Sequence, residues 1–167
     1  PYKDYIATQA CINRVAYLVY KDSNGKDLHR PNVIGNKTEG ALLMMAKSWG
    51  YDDEVIRKTM FNEETDKIYA FNSGKKRSTA IIKQKNGGKD TRLFCKGATE
   101  WIIKDCTHYT DMDGSIKVMD AAKRKEFLEK VIPAMADRAL RTLCLCHKDL
   151  NYSSLPKNWR DSPPDDR

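Results

Sequence analysis

Arg92-Leu93-Phe94-Cys95 is an apolar stretch that delivers Lys96 to Gly97 and then to Ala98-Thr99-Glu100, a run suited to opening a helix. A junction of this kind can accept a phosphate. Glycine has no Cβ to hold a ligand off the backbone, Thr99 is a capping residue for a helix opened by Glu100, and free N–H groups there carry the positive end of the dipole. Strand-Gly-helix junctions are also common where the lysine is merely solvated, so neighbouring residues must decide. Phe71 precedes the basic turn Asn72-Ser73-Gly74-Lys75-Lys76-Arg77, and Arg141 alternates with Leu143 in Leu140–Cys146. Glu39 falls in the first turn of a predicted helix, where it either offsets the macrodipole or accepts a ligand amine.

Other constellations compete with this one. Gly35 to Gly40 has the glycine spacing of a P-loop, but Ala41 and Leu42 stand where Lys and Ser/Thr are needed, so the Walker reading fails. Asp111-Met112-Asp113-Gly114-Ser115 has the Asp-x-Asp-Gly-Ser pattern of haloacid-dehalogenase phosphatases. That nucleophile needs a buried apolar strand before it, whereas Cys106-Thr107-His108-Tyr109-Thr110 precedes it here, and a plain Asp-Gly turn is the simpler reading. Cys106, His108, Cys144, Cys146 and His147 could be collected as a zinc site, though their spacings are not those of the usual C-x2-C knuckle. Alternation along a strand lets Cys144 and Cys146 serve equally as small buried hydrophobes.

The elements that must position these groups follow from periodicity and turn chemistry. Tyr2 to Asn13 has a weak helical spacing, Val15 to Tyr20 is β-rich, and Ser23-Asn24-Gly25-Lys26 is a tight-turn sequence. Asn36 or Thr38 caps a helix running to Gly50, and Asp53 to Met60 suits a short helix. Lys67–Phe71, Ser78–Lys85 and Leu93–Lys96, joined by polar turns at 72–77 and Asn86-Gly87-Gly88-Lys89, predict a three-stranded meander that brings Phe71, Lys76 and Lys96 to one exposed edge. Trp101, Ile102 and Cys106 continue a helix from Glu100, and 111–115 turns a hairpin. A helix from Asp120, kinked or shortened by Pro133, bears Lys123-Arg124-Lys125 as a solvated face. The last strand is predicted over Leu140–Cys146, with Arg141, Leu143 and Leu145 on one face.

With 167 residues, 40% hydrophobic and 32% charged, the chain reads as one globular domain, with a core roughly over 5–150 and a polar tail over 151–167. A net charge of +7 favours a polyanionic partner without choosing between nucleic acid, nucleotide and acidic lipid. A basic nucleic-acid-binding module would show an RNA-recognition or helix-turn-helix signature, and neither is found. No run is long and apolar enough to span a bilayer, so the segment is expected to be soluble. Starting at Pro1, it reads as an excerpt from something longer. Five cysteines without a paired framework fit a reducing compartment.

Gly35-Asn36-Lys37-Thr38-Glu39-Gly40-Ala41-Leu42-Leu43, Phe71-Asn72-Ser73-Gly74-Lys75-Lys76-Arg77-Ser78, Phe94-Cys95-Lys96-Gly97-Ala98-Thr99-Glu100 and Leu140-Arg141-Thr142-Leu143-Cys144-Leu145 occur in order. Together they resemble the nucleotide-binding (N) domain of P-type cation ATPases, most closely the plasma-membrane type of calcium pump, with the sarcoplasmic calcium and sodium/potassium types as alternatives. The resemblance implies an α/β (α+β) fold, an antiparallel twisted sheet flanked by helices. It implies ATP as ligand, accompanied by magnesium in the parent enzyme, and the parent's phosphorylation and actuator domains as partners, on the cytoplasmic side of a membrane. By resemblance Phe71 stacks on adenine with Glu39 beside its amino group, and Lys76 and Lys96 line the pocket toward ribose and phosphates. Gly97 lets the ligand close in, Arg141 approaches the phosphates and Leu143 packs on the base. Gly40, Ser78 and Ala139 depart from the family's usual cysteine, methionine and glycine. The phosphorylation motif Asp-Lys-Thr-Gly-Thr is not in this sequence. The chain is therefore expected to be a monomeric domain that binds ATP without hydrolysing it, within a parent that is an ATP-driven calcium translocase.

Overall fold

A computed structural model describes residues 2–84 and 87–161. The chain runs α1 (Tyr2–Ile12), β1 (Tyr17–Lys21), β2 (Asp27–Ile34), α2 (Lys37–Ser48), α3 (Asp53–Met60), β3 (Lys67–Asn72), β4 (Arg77–Ile82), β5 (Thr91–Ala98) and α4 (Thr99–Ile102). There follow β6 (His108–Thr110), β7 (Ile116–Val118), α5 (Ala121–Glu126), a π-helical turn Phe127–Val131, α6 (Ile132–Ala136) and β8 (Leu143–Leu150). The sheet that matters for the site is four-stranded and antiparallel, in the order β3-β4-β5-β8. The mixed helical and antiparallel architecture is the α/β class expected.

Local chemistry explains most boundaries. The Asn36 side chain accepts from the backbone N–H of Thr38 and Glu39, capping α2, and Asp52 caps α3 in the same way. Between β3 and β4, the Asn72 side chain accepts from Gly74 N and Lys75 N and shapes the basic turn. Pairing of β5 with both β4 and β8 buries it in the middle of the sheet, which is why its residues Leu93 to Gly97 are all buried. One sheet face packs Ile68, Ala80, Ile82 and Phe94 against Ile12, Tyr5, Ile56, Met60 and Phe61 from the helical side. The other packs Tyr69, Ile81, Leu93, Cys95, Cys144 and Cys146 against Ile102, Tyr152, Leu155 and Trp159.

Several expectations are corrected. Strand β2 departs from the sequence signal, because Asp27-Leu28-His29-Arg30-Pro31 is polar and holds a proline; it pairs only with β1, where a missing N–H is tolerated. The helix after Gly97 stops at Ile102 and lacks a side-chain cap, with Ala98 rather than Thr99 at the N-cap. The last strand begins at Leu143, not Leu140, so Arg141 precedes it and is exposed. Strand β4 ends at Ile82, and the Lys85 and Asn86 positions of the expected strand and turn lie outside the described residues. The segment after Leu150, read as a polar tail, places Trp159 in the core at 6% exposure, with the Tyr69 hydroxyl donating to its carbonyl oxygen. Residues 162–167 of that tail lie outside the described residues.

Two departures noted in the sequence acquire physical explanations. A Cβ on Gly40 would stand 2.2 Å from Val33 Cγ1, so glycine lets α2 lie tightly on β2. Ala139 takes φ 56°, the left-handed conformation that glycine adopts freely. The backbone shape at the entry to β8 is therefore kept, and alanine bears the strain.

Candidate functional site

The four strands of the main sheet bring one end together: Asn72 closes β3, Arg77 opens β4, Ala98 closes β5 and Leu143 opens β8. Register brings Phe71, Lys96 and Leu143 there. Ser78 faces Lys96 across β4–β5, and Lys96 faces Leu145 across β5–β8, so these side chains share one face, with Leu143 opposite Ala98 one pleat further out. Phe71 reaches that same face through an irregularity. Tyr69 pairs with Thr79 and Asn72 with Arg77, leaving Ala70 and Phe71 together opposite Ser78, a β-bulge. By alternation from Asn72, Phe71 then turns to the face of Lys96. A row from Phe71 through Ser78 and Lys96 to Leu145 results.

Phe71 is 50% exposed, a large apolar ring open to a ligand, and Lys76 is half-buried at the end of the basic turn. Gly97 stands in close contact with the preceding turn. A Cβ there would stand 2.2 Å from the Lys76 carbonyl oxygen and 2.8 Å from Arg77 Cα, so glycine lets the preceding turn pack against the end of β5. The Ala98 N–H donates to that same Lys76 carbonyl at 3.0 Å, tying the turn to the end of β5.

Lys96 does not lie on an exposed edge. It is 5% exposed, its ammonium pairs with Glu39 Oε1 at 2.8 Å, and it donates to the Asn13 carbonyl oxygen. Glu39 Oε2 accepts from Val15 N and Ala16 N, each at 2.9 Å. Burial alone would raise the Glu39 carboxyl, but the Lys96 charge and the two backbone donors together hold it below its ordinary value. For Lys96, burial outweighs one carboxylate and lowers the ammonium. The two directions are compatible because the carboxylate collects three donors and the lysine faces one anion.

These contacts fix the turn from α1 to β1, a role the sequence did not disclose. The Arg57 guanidinium donates to the carbonyls of Ile12 and Arg14, and Arg14 donates to those of Cys11 and Ala16. Arg14 also pairs with buried Asp53 at 3.0 Å and with Glu54 at 2.7 Å. Charged side chains thereby satisfy a loop that crosses the interior without a strand partner. The polar run Asn13-Arg14 between two apolar elements was the available signal. Beside this turn lies an open pocket of about 400 Å³ lined by Arg14, Val15, Glu54, Arg57 and Ile68.

The alternative chemistries separate. His147 adjoins Cys146 on β8 and so points to the opposite face, where its ring nitrogen meets the Tyr5 hydroxyl at 2.7 Å, while His108 sits exposed on β6. Among the described residues no group of three His, Cys, Asp or Glu could hold a metal ion. Asp111 accepts from Met112 N and Lys117, and Asp113 from Ser115, all within the β6–β7 hairpin. No described helix is long and apolar enough to cross a membrane.

The family described as P-type ATPase, cytoplasmic domain N, matches residues 1–166. Plasma membrane calcium-transporting ATPase 2 of Oreochromis mossambicus is 35% identical over 131 residues, 78% of this chain and 12% of the relative. Plasma membrane calcium-transporting ATPase 3 of Homo sapiens is 33% identical over 129 residues, 77% of this chain and 10% of the relative. The chain thus spans about a tenth of the length of these curated relatives. With that coverage, the chain belongs to the cytoplasmic N domains of P-type ATPases, of the kind found in plasma-membrane calcium pumps.

Proposed function

We propose that this domain binds ATP at the open end of the β3-β4-β5-β8 sheet and presents it to the phosphorylation domain of a calcium-transporting ATPase. The observation that carries the reading is the bulge at Ala70-Phe71, which sets a half-exposed aromatic ring on the same face as the Glu39–Lys96 pair. Adenine stacks on Phe71, a contact tolerant in geometry and strong in dispersion, with Leu143 packing against the base. Lys76 and exposed Arg141 answer the phosphate charge. Lys96, anchored by Glu39, forms the floor of the site toward the ribose and phosphates. An adenine amino group donating to Glu39 would share Oε1 with Lys96, because Oε2 already holds two N–H groups. Lysine and arginine do not ligate magnesium, so the metal arrives as part of the substrate Mg-ATP.

Binding to a site built on one side only should be weak, in the high micromolar to millimolar range, about 4–6 kcal/mol. The test is titration of Phe71→Ala with ATP and with adenosine. Loss of about 1–3 kcal/mol for both ligands, with an unchanged unfolding midpoint, is the result of a stacking ring. Unimpaired binding, or unfolding of the variant, returns Phe71 to a structural role.

A further inference from the structure

A second set of reactive groups lies on the sheet face away from the Glu39–Lys96 pair. Cys95 and Cys146 are register partners on β5 and β8, and Cys144 lies two residues before Cys146 on the same face. Cys106, from the loop after α4, packs into the same apolar layer as Cys144 and Cys146, against Ile81, Leu93, Cys95 and Ile102. None of these cysteines is in a disulfide, and Cys106 is only half-buried. Arg124 lies alongside, its Nη2 donating to the Cys106 carbonyl at 2.9 Å and its Nε to that of Ile103 at 3.2 Å.

We propose that Cys106 is an oxidation site: its sulfur reduces hydrogen peroxide, and the product closes a reversible disulfide onto Cys144 or Cys146. The Cys106 thiolate attacks one peroxide oxygen, the O–O bond breaks, and the leaving hydroxide takes a proton to become water. Cys106 is left as a sulfenic acid. A β8 thiol then gives up its proton and attacks that sulfur, the S–O bond breaks, and a second water departs. The two thiols supply two electrons and the peroxide accepts them.

The geometry assigns the roles. Cys144 and Cys146 are two residues apart on one strand, about 6.6–7 Å between Cα atoms, at the limit for bridging each other. Cys106 reaches the same layer from another segment. Hydrogen bonds from those two thiols, with the Arg124 charge, draw the Cys106 thiol below its ordinary value against the opposing effect of burial. On ionising, its sulfur loses the proton it donates to the Ile102 carbonyl at 3.5 Å. Cys11, buried on the far side among Ala7, Leu18 and Leu43, has no such neighbours and is pushed up to about 12 by burial.

The test treats the full chain with stoichiometric hydrogen peroxide at neutral pH, alkylates the remaining thiols and maps the peptides by mass spectrometry. The expected result is loss of two hydrogens in a peptide pair joining Cys106 to β8, reversed by dithiothreitol. Native-state iodoacetamide at mildly acidic pH should modify Cys106 about tenfold faster than Cys11. In Cys144→Ser/Cys146→Ser, dimedone should accumulate on Cys106. Equal oxidation of all thiols, or a bridge that leaves Cys106 alkylatable, overturns the assignment. The wild-type mapping decides even where the double variant fails to fold.

Discussion

Replacing Lys96 by methionine should damage the fold before it damages a binding site. The substitution keeps the stem that fills the space over Ser78 and Leu145 and removes the ammonium that pairs with Glu39 Oε1 at 2.8 Å. Glu39, 5% exposed, is then a buried carboxylate held only by the Val15 and Ala16 N–H groups. Stranding one member of a buried pair costs about 3–5 kcal/mol. Adding Glu39→Gln removes the stranded charge while leaving an oxygen for those N–H groups, so Glu39→Gln/Lys96→Met should recover about 1–3 kcal/mol of the loss.

The pH dependence of the same pair has a definite sign. In the wild type Glu39 titrates below its unfolded value of about 4.3, so the stabilisation from its charged form is present above that value and is lost as pH falls through the folded one. Without Lys96, burial raises the carboxyl, and protonation then favours the folded state. The stability gap between wild type and Lys96→Met should therefore narrow as pH falls through the carboxylate range. Urea denaturation at several pH values, with slopes compared to confirm equal unfolding, measures this. A Lys96→Met variant within about 0.5 kcal/mol of wild type at neutral pH would refute the buried pair.

Two further outcomes follow from particular residues. Ala139→Gly relieves a left-handed alanine and should raise stability by about 1 kcal/mol in the same urea assay; a loss would mean that the strain is absent. Incubation with γ-labelled ATP and magnesium should yield neither an acid-stable covalent phosphate nor steady phosphate release, because Asp111 and Asp113 are spent within a hairpin. Release abolished by Asp111→Asn would revive the phosphatase reading.

The helices α1 to α3 and the β3–β5 meander were legible in sequence because each rests on nearby residues: Asn36 two and three positions before the N–H groups it caps, and Asn72 shaping its own turn. What was not legible depends on distant partners. Lys96 is buried by Glu39 and by the Asn13 carbonyl, 57 and 83 positions away, and no local pattern separates it from a solvated lysine. Phe71 reaches the site face through a bulge, and simple alternation from Tyr69 would have turned it the other way. Trp159 enters the core from a polar stretch because the sheet face around Ile81 and Leu93 needs a large apolar cover. The close packing of the Lys76 and Arg77 backbone against Gly97 also depends on partners some twenty positions away.

The most direct measurement of the central claim is an NMR titration of the isotopically labelled chain with ATP, following backbone amides across the sheet. The account predicts saturable, concerted shifts at Phe71, Ser78, Lys96, Gly97 and Leu143, where register brings the strands to one end. Shifts confined to Lys123, Arg124 and Lys125, with the sheet end unmoved, would mean nonspecific attraction to a basic helix and would contradict it.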